Sequence, residues 1–186
     1  MVDRMMRALR GDVALYEEAE SNPSLTQEAY TIVAIVAVIN VVVGLLYGLF
    51  SGDIGAALLG AIFSGVSVFV GYLIWSYLTW IIGTRVFNGT ADVGELQRTL
   101  GYSMTPQILS GLLGFIPVLG ACLGIIPALW SLYLGVVAVR QALDFDTGKA
   151  LMTAGAAFVV QFIIFALIGT VLGVGAAGLG ALTGGS

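Results

Sequence analysis

The charged residues of this chain fall into a few clusters separated by long uncharged runs, and the lengths of those runs limit how it can fold. No charge interrupts the forty-one residues between Arg98 and Arg140 or the thirty-one between Asp53 and Arg85. Glu28 and Asp53 bracket "AYTIVAIVAVINVVVGLLYGLFSG", and after Lys149 no charge follows at all. An α-helix rises about 1.5 Å per residue and must cross about 30 Å of hydrocarbon, so the run before Asp53 makes one span. The thirty-one-residue run, roughly 47 Å as helix, makes a single span with a glycine-rich approach. The forty-one-residue run, roughly 62 Å, makes two, folded as a hairpin at "PVLG", Pro117 to Gly120. One more span follows Lys149. Composition agrees: 59% of the residues are hydrophobic and 10% charged, with mean hydropathy +1.02, against about 45–50% and about 25% in soluble domains. The sequence therefore predicts an all-α integral membrane protein, a five-helix transmembrane bundle with spans at about 30–50, 58–83, 99–116, 121–139 and 150–172. Residues 1–29 form a cytoplasmic lead-in, and 173–186 a tail too glycine-rich and short for a sixth span.

With the N-terminus in the cytoplasm, all seven positive charges (Arg4, Arg7, Arg10, Arg85, Arg98, Arg140 and Lys149) fall on the cytoplasmic side and the C-terminus lies outside. No cleavable signal peptide is expected, because residues 1–29 carry three arginines and six acids and lack an apolar core. "VDRMMRALRGDVALY" sets Val2, Met5, Met6, Leu9, Val13 and Tyr16 on one helical face. That pattern fits a short amphipathic helix lying on the membrane surface, or one packed under the bundle. Asn22-Pro23 breaks the chain, and Ser24 with Gln27 resembles a capping box opening the first span. Asn88-Gly89 reads as a tight turn and Asp92 with Glu95 as a helix start. Trp75, Tyr77 and Trp80 precede Arg85 closely enough for an interfacial aromatic belt.

Several function classes find no footing. There is no histidine, and the lone Cys122 builds neither a disulfide framework nor a metal cluster. The apolar spans hold no carboxylate pair or proton relay, so no enzyme activity, metal or cofactor is expected, and coupled transport is weakened too. No dense basic patch offers itself to nucleic acid. A passive pore lined by hydroxyls and amides stays open.

Two features stand out within the spans. "GYSMTP", Gly101 to Pro106, places a helix-breaking proline in the first turns of the third span, where Pro106 cannot donate to the carbonyl of Tyr102. Either this is a kink in which Gly101 admits a neighbouring helix and Ser103 or Thr105 satisfies a freed carbonyl, or the opened turn and Tyr102 form a recognition surface at headgroup level. The second feature is three amides, Asn40, Gln107 and Gln161, each roughly 13–18 Å deep from the cytoplasmic end of its span. Each lies in a stripe of small or polar residues: Ala37, Asn40, Gly44, Gly48; Ser103, Gln107, Ser110, Gly114; Ala154, Ala157, Gln161. The stripes should face inward, and at least two of the amides should meet in the core as hydrogen-bonding glue. A water-filled cavity wider than one water between them would instead favour a solute site.

The order of "RGDVALYEEAESNPSLTQEA", "GTADVGELQRTLGY", "GYSMTP" and "WSLYLGVVAVRQALDFDTGKAL" along the chain resembles the Yip (Ypt-interacting protein) domain family of small multi-pass membrane proteins, in its prokaryotic form. The resemblance covers nearly the whole chain. It implies a cytoplasmic N-terminus and external C-terminus and, in eukaryotic relatives, Rab GTPase binding and a role in vesicle trafficking. The "DLYGP" motif of those relatives is missing here, "DVALYEEA" standing in its place, which weighs against a Rab-type partner. The expected function is a non-catalytic scaffold or adaptor organising membrane proteins or lipids, an accessory subunit of a membrane complex being one form of it; the alternative is a small passive transporter or channel subunit. Ala56, Gly60 and Ser64, with Gly120 and Gly124, offer small-residue faces to a protein partner or a second copy of the chain. Membrane lipids are the other expected partner.

Overall fold

The computed structural model describes residues 1–50, 52, 54–116 and 119–183, the side chains of 56, 119, 121 and 172–183 excepted. Asp53, the Pro117-Val118 half of the expected hairpin turn and the last three residues of the expected tail lie outside the described residues. Nine α-helices and one 3-10 turn make up the described chain, with no strand among the described residues. They are α1 (Val2–Leu9), α2 (Val13–Ser21), the 3-10 turn Pro23–Leu25, α3 (Thr26–Phe50), α4 (Ile54–Arg85), α5 (Val93–Ser103), α6 (Thr105–Leu113), α7 (Leu119–Leu123), α8 (Ile125–Ala142) and α9 (Thr147–Thr183).

Local chemistry sets the boundaries. The lead-in is two helices rather than one through Tyr16, because Gly11 turns left-handed at φ +68 and Asp12 then caps α2 by accepting from the Ala14 N–H. Asn22, not Ser24, is the next cap: its side chain accepts from the Ser24 N–H and hydroxyl, with Pro23 opening the turn. Asn88 is left-handed at φ 57. Asp92 and Glu95 then close a reciprocal capping box that starts α5.

Four helical stretches are long and apolar enough to cross a membrane: Pro23–Phe50, Ala57–Arg85, Ile125–Ala142 and Thr147–Val171. The count is four, not the five expected, because the stretch read as a single third span divides at Met104 into α5 and α6. The last helix also runs to Thr183, through most of the segment read as a tail.

α3 packs antiparallel on α4 through small residues: a side chain added at Gly44 or Gly48 would meet Ala61 or Ala57, and one at Gly65 would meet Val41. Of the expected Ala56–Gly60–Ser64 stripe, Ser64 lies in this seam, its hydroxyl donating to the Asn40 carbonyl (3.2 Å), while Gly60 faces open space. The three inward stripes do turn inward, with Ala154 and Ala157 buried on α9. The buried core lies near one end, where α1, α2 and α5 meet the starts of α3 and α9 and the ends of α4 and α8: Leu15, Tyr16, Ala19, Leu96, Leu100, Tyr102, Val139 and Leu143 are all at most 1% exposed. This is also the charged end. Tyr30 donates to Gln97 (2.8 Å), Gln141 to Glu17 (3.1 Å) and Thr90 to Asp144 (3.2 Å). Towards the far end the exposed side chains are apolar, Phe50 at 88%, Leu59 at 73% and Val171 at 71% among them, as a lipid-facing surface requires.

Candidate functional site

The division between α5 and α6 is a backbone problem solved locally. Pro106 has no N–H for the Tyr102 carbonyl, and Thr105 Oγ1 donates to it instead at 2.7 Å. Ser103 Oγ donates to the Leu100 carbonyl (2.7 Å), and Ser131 Oγ reaches across from α8 to the Ser103 carbonyl (2.7 Å). The Met104 N–H bonds the Gly101 carbonyl and the Gln107 N–H the Met104 carbonyl. Every carbonyl from Leu100 to Met104 thus has a donor. All five residues singled out here, Gly101, Tyr102, Ser103, Thr105 and Pro106, are buried, so the stretch is an internal joint and presents no open surface. Gly101 lies against Ala29, where an added Cβ would come within 2.8 Å of the Ala29 Cβ and 3.2 Å of its backbone. Tyr102 points towards Glu28, yet neither its hydroxyl nor Glu28 Oε1 has a hydrogen-bond partner among the described residues.

Beside this joint is a cavity of about 280 Å³ bordered by α3, α4, α6, α8 and α9, many times the ~30 Å³ share of one water. Asn40, Gln107 and Gln161 all border it, together with Ser67, Trp75 and Ser131. The amides differ in their commitments. Asn40 Nδ2 donates to the Val36 carbonyl of its own helix (2.8 Å), and Gln161 Nε2 to the Gly71 carbonyl of α4 (3.2 Å). The Gln107 amide has no hydrogen-bond partner among the described residues. No lining residue carries a charge, and two of them, Leu132 and Phe158, are 40% and 49% exposed, so the cavity wall on α8 and α9 reaches the apolar surface. Sequence reasoning missed Ser67, Gly71 and Trp75, although their spacing of four on α4 marks one helical face. Of the three aromatics expected near the interface, Trp75 borders this cavity and packs on Gly135, Trp80 donates to the Ala91 carbonyl and Tyr77 is exposed.

Above the joint, the head is latched to α5 and α8. Arg98 is only 6% exposed; its Nε donates to the Ala19 carbonyl (2.7 Å) and an Nη to the Glu20 carbonyl (2.5 Å), closing the C-terminal turn of α2 from another helix. Arg7 bridges Asp12 (2.7 Å) and Glu18 (2.8 Å), while Arg4 bridges Glu18 (2.9 Å) and Glu28 (3.2 Å). The hydrogen bond from Arg7 holds the Asp12 carboxyl below its usual range, and those from Arg7 and Arg4 do the same for Glu18. Burial, reinforced by Asp144, Glu95 and Glu17, pushes the Glu20 carboxyl up. Trp130 of α8 donates to the Leu9 carbonyl at the end of α1 (2.8 Å). Only Arg10 of the three head arginines stays exposed and unpaired among the described residues.

The Yip1 domain family matches residues 14–169, from the start of α2 to the outer part of α9. Neither curated proteins nor solved structures give a match. The match takes in α2, the joint and every helix that borders the cavity, though not α1, and the chain belongs to the Yip1 domain family.

Proposed function

We propose that this integral membrane protein is a non-catalytic scaffold or adaptor that crosses the membrane five times, with its N-terminus in the cytoplasm and its C-terminus outside. The observation that carries the reading is the head: α1, α2 and α5 share one buried core with the ends of α3, α4, α8 and α9. A partner bound there would be held by a preformed surface coupled directly to the spans. α5 enters from the head, and its uncharged part after Arg98 together with α6 covers residues 99–113, about 22 Å of helical rise. Taken as a short fifth crossing in two pieces, it keeps all seven positive charges on one side. Glu17, Glu95 and Asp144 all lie near enough to Glu20 to act on it, an acidic grouping that fits a basic protein segment better than a Rab-type GTPase in the absence of the "DLYGP" motif.

The passive-transporter reading has one observation in its favour, the cavity shared by the three amides. Its lining runs from Ser67 to Trp75 on α4, about 12 Å of a ~30 Å core, which describes a pocket and not a passage. Purification from native membranes in mild detergent tests the proposal. A stoichiometric partner released by reversing Glu17 and Asp144 to lysine is expected. Solute flux in liposomes of the pure protein, with no partner retained, would overturn it.

A further inference from the structure

The scaffold reading leaves the cavity without a role. We propose that it is a binding site for the headgroup of an uncharged lipid bearing both hydroxyl and carbonyl groups, of which diacylglycerol is the simplest. Three observations define the ligand. No lining residue is charged, and burying an anionic headgroup there unpaired would be costly. The cavity wall reaches the apolar surface at exposed Leu132 and Phe158, which lie eight residues from Arg140 and nine from Lys149. At about 1.5 Å per residue this is roughly 12–14 Å below the charged end, inside the leaflet, so a ligand enters from the lipid and not from water.

The third observation is unmet hydrogen-bonding capacity. Val36 and Gly71 take one amide proton each from Asn40 and Gln161, and neither side-chain oxygen has a donor among the described residues. Gln107 keeps both its donors and its acceptor, and the Ser67 hydroxyl likewise has no partner among the described residues. The carbonyl oxygens of the amides call for a ligand hydroxyl, while the Gln107 NH₂ and Ser67 hydroxyl call for a ligand carbonyl. Diacylglycerol supplies one hydroxyl and two ester carbonyls on a three-carbon head, and its acyl chains can leave past Leu132 and Phe158 into the bilayer. A quinone lacks the donor. A phospholipid brings a charge that the lining does not answer.

The test uses the full chain in phosphatidylcholine vesicles containing a diacylglycerol with a photoreactive diazirine near its glycerol end. Crosslinks are expected on residues 104–107, 131–132 and 158–161, competed by unlabelled diacylglycerol but not by phosphatidic acid of the same chains. Gln107→Leu and Ser67→Ala should each lower labelling about five- to tenfold, the weight of one hydrogen bond in a site that excludes water. Neither substitution removes an intramolecular bond, so the thermal midpoint in phosphatidylcholine alone should hold or rise. Labelling spread evenly over lipid-facing residues, equal competition by phosphatidic acid, or labelling unchanged in both variants would overturn the proposal. So would protection of the cavity by a copurifying membrane protein that stays bound when diacylglycerol is added. Loss of partner copurification with labelling intact would strike the scaffold reading and leave this one standing.

Discussion

Arg98 shows how far a residue's role can lie from its charge. In the sequence it counts as one more positive group on the cytoplasmic side; in the fold it is buried and closes the last turn of α2 through two carbonyls. Arg98→Met should cost about 2–4 kcal/mol, since two charge-assisted bonds are lost and two carbonyls, one buried and one half-buried, are stranded. Faster tryptic cleavage at Arg7 and Arg10 would report it, and an unchanged rate would remove Arg98 from the latch. The head arginines divide in the same way. Arg7→Glu should unfold the head, because it places a carboxylate beside Asp12 and Glu18. Arg10→Glu should leave the head folded and weaken its hold on anionic vesicles, as each basic residue near such a surface is worth about 1 kcal/mol. The equal face of Val2, Met5, Met6, Leu9, Val13 and Tyr16 gave no means of telling these arginines apart. What separates them is the Gly11-Asp12 break, which folds Tyr16 inward and leaves Val2 and Met6 exposed at 71% and 48%.

Acid should loosen this head in a defined window. Asp12 and Glu18 have folded-state values below their ordinary 3.8 and 4.5. Their contribution is complete above those values and is lost as pH falls through the lower folded ones. Glu20 acts in the opposite sense: its raised value is a cost at neutral pH that is relieved on acidification. Protease resistance of residues 1–25 should therefore hold or improve slightly from pH 7 towards 5 and collapse below about 4. A steady decline beginning at pH 7 would contradict the assignment.

At the scale of elements, the most informative difference between sequence and structure is the third span. Its proline and hydroxyls were legible as a kink, and Thr105 does bond the carbonyl that Pro106 leaves free. The full separation into α5 and α6 was not legible, because it also depends on Ser131, twenty-eight positions away, donating to Ser103. The cavity escaped for the same reason. Asn40, Gln107 and Gln161 could be placed at one depth from chain length alone, but the space between them is left by α4 and α8 residues whose register no local pattern records. Pro106→Ala restores the missing donor. Spin labels at Val93 and Leu112 should then move apart, towards the about 28 Å of an unbroken helix. No change would mean that packing around Thr105 and Ser131, rather than the proline, sets the break.

For the whole molecule, the uneven distribution of buried core follows from the two solvents it meets. Near water, α1 and α2 add a second layer over the charged end and bury its apolar surface; within lipid, that surface needs no cover, and side chains such as Phe162 and Leu59 remain exposed. This division assumes that α5 and α6 together make one crossing, with four other helices making the rest. Cysteine accessibility in intact cells tests it most directly. In a Cys122→Ala background, single cysteines are placed at Phe50, the last residue of α3, and Ile116, beyond α6, and at Thr90 and Asp146, in the loops after α4 and α8. Five crossings predict that an impermeant thiol reagent added outside labels Phe50→Cys and Ile116→Cys, and that Thr90→Cys and Asp146→Cys react only after the membrane is opened. Labelling of Asp146→Cys from outside while Thr90→Cys stays protected would mean four crossings, and would contradict both the α5–α6 span and the single charged end on which the head is built.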